Sequence, residues 1–217
     1  MKDGLTELVC ILDRSGSMDS VIGEAISGVN TFIKDQRKVD GQANVTIALF
    51  DIAYDLIYDN VNIDTVPDIT RDVYYPRGMT ALYDAIGKTI DNVGNRLANT
   101  PEDERPENVI VAILTDGMEN SSYKYTSSKV KDMIKHQEDK YNWTFIYLAA
   151  NQNAFEVGQQ FGMSSYNSIN FNATANGTTA AFANISNCAY TYRTMSKSGL
   201  SKEDIMSHVP LVDADGN

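Results

Sequence analysis

Two stretches of this chain are apolar at every position: residues 8–12 (LVCIL) and residues 109–114 (VIVAIL). A strand with one face in water alternates apolar and polar side chains. An uninterrupted run of this length is covered on both faces, as in a mostly parallel sheet between two layers of helix. Both runs stop abruptly at acidic loops, the first at Asp13 and the second at Thr115-Asp116-Gly117.

The rest of the chain fits that frame. Val21, Ile22, Ala25, Ile26, Val29, Phe32 and Ile33 fall at helix-face spacings after the first run. Residues 45–50 predict a second strand. Residues 54–63 (YDLIYDNVNI) alternate, as a half-exposed edge strand does, and the short gap between the two predicts an antiparallel hairpin. Residues 64–79 read as loop, ending in Pro76-Arg77-Gly78-Met79-Thr80. A helix over about 81–97 carries Leu82, Ala85, Ile86, Ile90, Val93 and Leu97 on one face. The charged, proline-bearing stretch 99–107 is a surface loop. A short polar helix over 126–136, a strand over 144–149, a helix over 154–161, a strand over 166–171 and a last helix follow. That last helix has Phe182, Ile185, Ala189, Tyr192 and Met195 on its face. Strands alternating with helices predict a three-layer α/β/α, Rossmann-like architecture with one antiparallel edge strand. The expected domain covers residues 5–195, with a polar tail or linker over 196–217.

Bulk properties narrow the function classes. A chain of 217 residues can bury a full core without disulfide or metal staples. The net charge of -11, with no Lys/Arg cluster, argues against nucleic acid, which needs a basic face. Cys10 lies in an apolar run and Cys188 in a helical pattern. They form no zinc spacing, and two buried free thiols fit a reducing compartment. The polar start lacks an apolar signal core, and no apolar stretch approaches ~20 residues. The expected location is the cytoplasm, away from membranes.

Three segments bring oxygen donors to strand ends: Asp13-Arg14-Ser15-Gly16-Ser17, Gly78-Met79-Thr80, and Thr115-Asp116-Gly117. In open α/β sheets, ligands bind outside the carboxyl ends of strands where the helices leave to opposite faces. If the first run and residues 109–114 are central neighbours, Asp13 and Asp116 meet across that crevice. Carboxylates and hydroxyls are hard donors. Around a gap they suit Mg²⁺, Mn²⁺ or Ca²⁺ rather than zinc or copper. Gly16 lets the first loop turn sharply.

Asp13-x-Ser15-x-Ser17, followed by Thr80 and Asp116, resembles the metal-ion-dependent adhesion site of the von Willebrand factor type A (vWA) family. The resemblance covers roughly residues 5–195, and the segment from Thr115 to Asn120 also resembles intracellular bacterial and phage members. It implies that Ser15, Ser17 and Thr80 hold a divalent metal through hydroxyls, with Asp13 and Asp116 binding directly or through water. It also implies a protein partner whose acidic side chain completes the shell, and a binding or scaffold module rather than an enzyme.

Other readings stand beside this one. Asp and Ser also serve turns and helix caps, and Thr80 fits a helix N-cap hydroxyl as well as a ligand. Arg14 and Met18 read as exposed loop residues, with Arg14 otherwise steering an acidic partner. Glu119, Asn120, Ser121 and Ser122 read as solvated loop, or else as the rim of the site. Asp51 and Asp55 read as serving the turn they bracket. The stretch 213–217 begins like a calcium loop but lacks the closing Glu. Among enzyme readings there is no nucleophile elbow and no P-loop, and His136 and His208 sit on a polar helix and in the tail. The alternative that stays open is a metal-dependent phosphohydrolase with Asp13 as nucleophile. It needs a basic group, for which Arg14, Arg77 and Lys88 are the nearest.

Overall fold

The computed structural model describes residues 1–196 and 198–212, and Ser165 by its backbone alone. The 213–217 stretch therefore lies outside the described residues. Six strands form one sheet in the order β3-β2-β1-β4-β5-β6. They are β1 (Lys2–Asp13), β2 (Gln42–Phe50), β3 (Tyr54–Asn62), β4 (Pro106–Thr115), β5 (Thr144–Ala149) and β6 (Ser168–Asn170). β3 pairs antiparallel with β2 at one edge, and every other pairing is parallel. This is the expected three-layer α/β/α fold.

β1 shows why its run is unbroken. Leu8, Cys10 and Leu12 enter one core with Val29, Phe32 and Ile33 of α1 (Ile22–Gln36) and Phe182 and Ile185 of α5 (Ala175–Met195). Val9 and Ile11 enter the other core, with Ile86 and Ile90 of α2 (Leu82–Ala98) and Val130 and Ile134 of α3 (Ser127–Tyr141). Ala154 of α4 (Ala154–Gln160) joins this second core. Cys10 and Cys188 are buried free thiols. No described helix is long and apolar enough to cross a membrane.

Boundaries differ from expectation where packing adds to local pattern. α3 runs to Tyr141 rather than 136, because Asn142 at φ 56° supplies the left-handed residue that ends it. The last strand is only Ser168–Asn170, preceded by a short 3-10 turn. Within the stretch expected to be polar tail, α6 (Lys202–Ser207) forms behind a capping box of Ser201 and Asp204. Ile205, Met206 and Val209 are buried in the α1–α5 core, so the apolar residues of that short segment have a place to go.

Gly28 lies where α1 and α5 pack. A Cβ there would lie 2.3 Å from the Phe182 ring. Gly28→Ala gains about 1 kcal/mol of helix propensity, but relieving the overlap costs about 1–3 kcal/mol. The expected outcome is a net loss, read as a lower urea midpoint with an unchanged slope.

Candidate metal centre

The strand order makes the candidate site. β1 and β4 are neighbours, with Leu12 beside Leu114, so Asp13 and Thr115 end their strands side by side. α1 leaves β1 toward one core and α3 follows β4 into the other, which opens a crevice at the carboxyl edge. Asp13 is buried there. Its Oδ2 accepts from Thr115 Oγ1 at 2.6 Å and its Oδ1 from the Ser15 amide at 2.6 Å. Ser17 Oγ donates to Asp116 Oδ1 at 2.6 Å and lies 3.0 Å from Ser15 Oγ.

Thr80 completes the group from a third loop. A Cβ placed on Gly117 would sit 2.8 Å from Thr80 Oγ1, 3.4 Å from Ser17 Oγ and 3.6 Å from Ser15 Oγ. Three hydroxyls thus converge on one small space that glycine leaves open. Thr80 is not the helix cap: α2 has Ala81 at its N-cap, with no side-chain cap bond. The structure brings Asp13, Ser15, Ser17, Thr80 and Asp116 together.

The flanking residues differ more from expectation. Arg14 and Met18 are both buried rather than exposed. Met18 joins the α1 core, because the 3-10 turn Gly16–Val21 folds it inward. The Arg14 guanidinium pairs with Asp55, and its Nε lies 3.3 Å from Asp51 Oδ2. It is therefore not free to steer a partner. Arg77 pairs with the same two carboxylates, and both arginines lie against the Tyr75 ring. The Arg14 hydrogen bond holds the Asp55 carboxyl below its usual range. Asp51 and Asp55 do more than serve their turn: they join the β2–β3 turn to the loop carrying Ser15. Backbone bonds from Gly16 N to Gly78 O (3.1 Å) and from Arg77 N to Arg14 O (2.8 Å) fasten the same loops. Gly78 adopts φ 67°, a conformation that favours glycine. The buried Tyr74 hydroxyl donates to Asp13 O at 2.6 Å.

Residues 119–122, expected to be solvated loop or else the rim of the site, wrap the start of α2. Glu119 Oε2 accepts from the Tyr83 amide at 2.9 Å and Ser122 Oγ from the Asp84 amide at 3.0 Å. Asn120 Oδ1 accepts from the Thr80 amide at 3.0 Å, and Asn120 N returns a bond to Thr80 O. They supply helix-end partners that Ala81 cannot. Asn151 and Gln152, absent from the sequence reading, donate to Asp116 O and Gly117 O. Asn151 sits at φ 56°, as Asn tolerates better than most residues. An Asn just past the fifth strand was the only signal available for it.

Burial pushes the Asp13 carboxyl up to about 6 and raises that of Asp116. Hydrogen bonds from Thr115 and Ser15 offset part of the rise at Asp13, and one from Ser17 part of that at Asp116; among the described residues no cationic side chain pairs with either. Among the described residues, no three His, Cys, Asp or Glu side chains gather into a metal-binding group, so hydroxyls make up most of this donor set. Two buried carboxylates and three hydroxyls around a glycine-lined space fit a hard divalent cation. They do not fit a soft metal.

No protein-family model matches the chain, and no curated protein matches it in sequence. Solved structures match in fold. Proximal thread matrix protein 1 from the mussel byssus, with a zinc-occupied MIDAS motif, aligns at 13% identity and TM-score 0.58 over 86% of this chain and 46% of its own. Manganese-loaded TRAP protein of Plasmodium vivax aligns at 17% identity and TM-score 0.56, covering 83% of this chain and 73% of that one. The vWF domain of the type V pili tip protein Mfa5 from Porphyromonas gingivalis aligns at 11% identity and TM-score 0.60, covering 90% and 96%. The chain spans about half the length of the mussel protein. At these identities the likeness is one of fold, that of von Willebrand factor A domains.

Proposed function

We propose that this chain is a divalent-metal-dependent protein-binding module, of adhesion or scaffold type, and not an enzyme. Its domain is residues 5–195, to which α6 adds. Asp13, Ser15, Ser17, Thr80 and Asp116 hold Mg²⁺, or Mn²⁺ or Ca²⁺ in its place. When bound, the ion supplies a Lewis-acidic position for an acidic side chain of a protein partner. The observation that carries this reading is the convergence of three hydroxyls on the Gly117 space, beside two buried carboxylates without a cation. The manganese in the Plasmodium protein and the zinc-occupied MIDAS in the mussel protein support it. The acidic surface, with its charge of -11, disfavours nucleic acid as partner. The two reduced thiols favour the cytoplasm.

The phosphohydrolase reading has less support. It needs a free cation to hold phosphate. Arg14 and Arg77 are engaged with Asp51 and Asp55, and Lys88 Nζ lies 4.5 Å over the Tyr54 ring.

Calorimetric titration with Mg²⁺ tests the site. Unaltered protein is expected to bind, and Asp13→Ala combined with Ser15→Ala to lose binding. Gly117→Ala is expected to lose it too, because the methyl fills the space while every donor remains. At an ion concentration of about 100 Kd, the unaltered protein gains about 2.7 kcal/mol of stability. Equal binding by all three proteins would sink the site.

A further inference from the structure

Chemistry at the rim says more about the partner than the donors do. Outside Met1 and the segment after Ser196, the exposed large aliphatic side chains of the described residues are Ile52, Met79 and Met118. They are 60%, 56% and 62% exposed. All three border the candidate site. Met79 precedes Thr80 and Met118 follows Gly117. Ile52 sits in the β2–β3 turn, its Cγ1 3.5 Å from where a Gly78 Cβ would be. Exposed apolar side chains scattered singly, such as Phe155, need no explanation, but three bordering one site do. Methionine suits such a rim because its flexible thioether repacks against different shapes.

Charge narrows the occupant further. The two arginines of this face, Arg14 and Arg77, are already paired. A divalent ion held by the five donors would bring that group to about neutral, and its sixth coordination position would take one further carboxylate. A polyacidic partner would be repelled by a chain of charge -11. We infer that the partner is a protein segment presenting one Asp or Glu flanked by apolar side chains, the carboxylate reaching the metal and the flanks covering Ile52, Met79 and Met118. The covered rim would exclude water and strengthen the metal–carboxylate bond at its centre. This inference rests on the metal reading proposed above.

Panning a phage library of random linear peptides on the immobilised protein, with Mg²⁺ and with chelator, tests it. Peptides enriched only with Mg²⁺ are expected to carry a single Asp or Glu with an apolar residue within two positions. Synthetic copies should bind unaltered protein at least about tenfold more tightly than the Ile52→Ser/Met79→Ser/Met118→Ser variant. The variant's calorimetric Mg²⁺ affinity should be unchanged, which separates rim from site. Polar-flanked or multiply acidic peptides, no Mg²⁺-dependent enrichment, or equal binding by the variant would overturn the rim proposal while calorimetry still shows Mg²⁺ uptake. If calorimetry shows no Mg²⁺ uptake, the metal reading itself falls and takes this inference with it. Sedimentation in Mg²⁺ should find a monomer. A dimer dispersed by the same three substitutions would assign the rim to a second copy and overturn the proposal.

Discussion

In chelator at pH 7, Asp13→Asn should melt at a higher temperature than the unaltered protein while taking up no Mg²⁺. Burial raises the Asp13 carboxyl from its ordinary 3.8 to about 6, so the folded protein holds this proton more tightly than the unfolded chain does. Stability from a group raised in this way is fully present below about pH 4 and is lost as pH rises through about 6. The gap corresponds to at most about 3 kcal/mol. The amide carries no charge to desolvate. Its oxygen can still accept from the Ser15 amide, and the Thr115 hydroxyl can turn its proton to Gly117 O, 3.0 Å away. The measurement is the difference in unfolding free energy between the two proteins at pH 4 and at pH 7, without metal. It should widen with pH. A constant difference would show that Asp13 carries no burial penalty. Saturating Mg²⁺ should reverse the ranking at pH 7, since only the unaltered protein gains from the ion.

Arg14→Met should destabilise the protein by about 3 kcal/mol, toward the lower end of the loss seen when one partner of a buried ion pair is removed. Asp51 is buried and would lose one of its two arginines, while Arg77 keeps part of the pairing. In a domain of this size that is a melting point lower by about 6–12 °C. Arg14→Met combined with Asp51→Asn should recover part of the loss, because no buried charge is then stranded. An Arg14→Met protein as stable as the original would mean that the four-charge cluster contributes no net stability.

The features legible in the sequence were those written locally. The runs 8–12 and 109–114 announced strands covered on both faces because every side chain along them meets one core or the other. Asp13 and Asp116 could be placed together because the ends of such strands are where a parallel sheet binds ligands. What escaped depended on distant partners. Arg14 reads as a solvated charge until Asp55, 41 residues on, and Asp51 surround it. Glu119 and Ser122 look like loop because the helix amides they accept from lie 36 and 38 residues earlier. α6 is short and polar in composition, and its place is decided by the core beneath Ile205 and Met206. Gly117 gave no sign that its missing side chain leaves space for three hydroxyls.

The loops of the site are far apart along the chain: Ser17 meets Asp116 across 99 residues, and Thr80 meets Asn120 across 40. Contacts of such separation close only after the sheet between them has assembled. An ion taken up by the proposed site is expected to arrive after the rate-limiting step of folding. It should therefore leave the refolding rate nearly unchanged and slow unfolding instead, because its stabilisation is absent from the transition state. The ion would act as a latch that lengthens the lifetime of a finished domain, not as a template on which the domain forms.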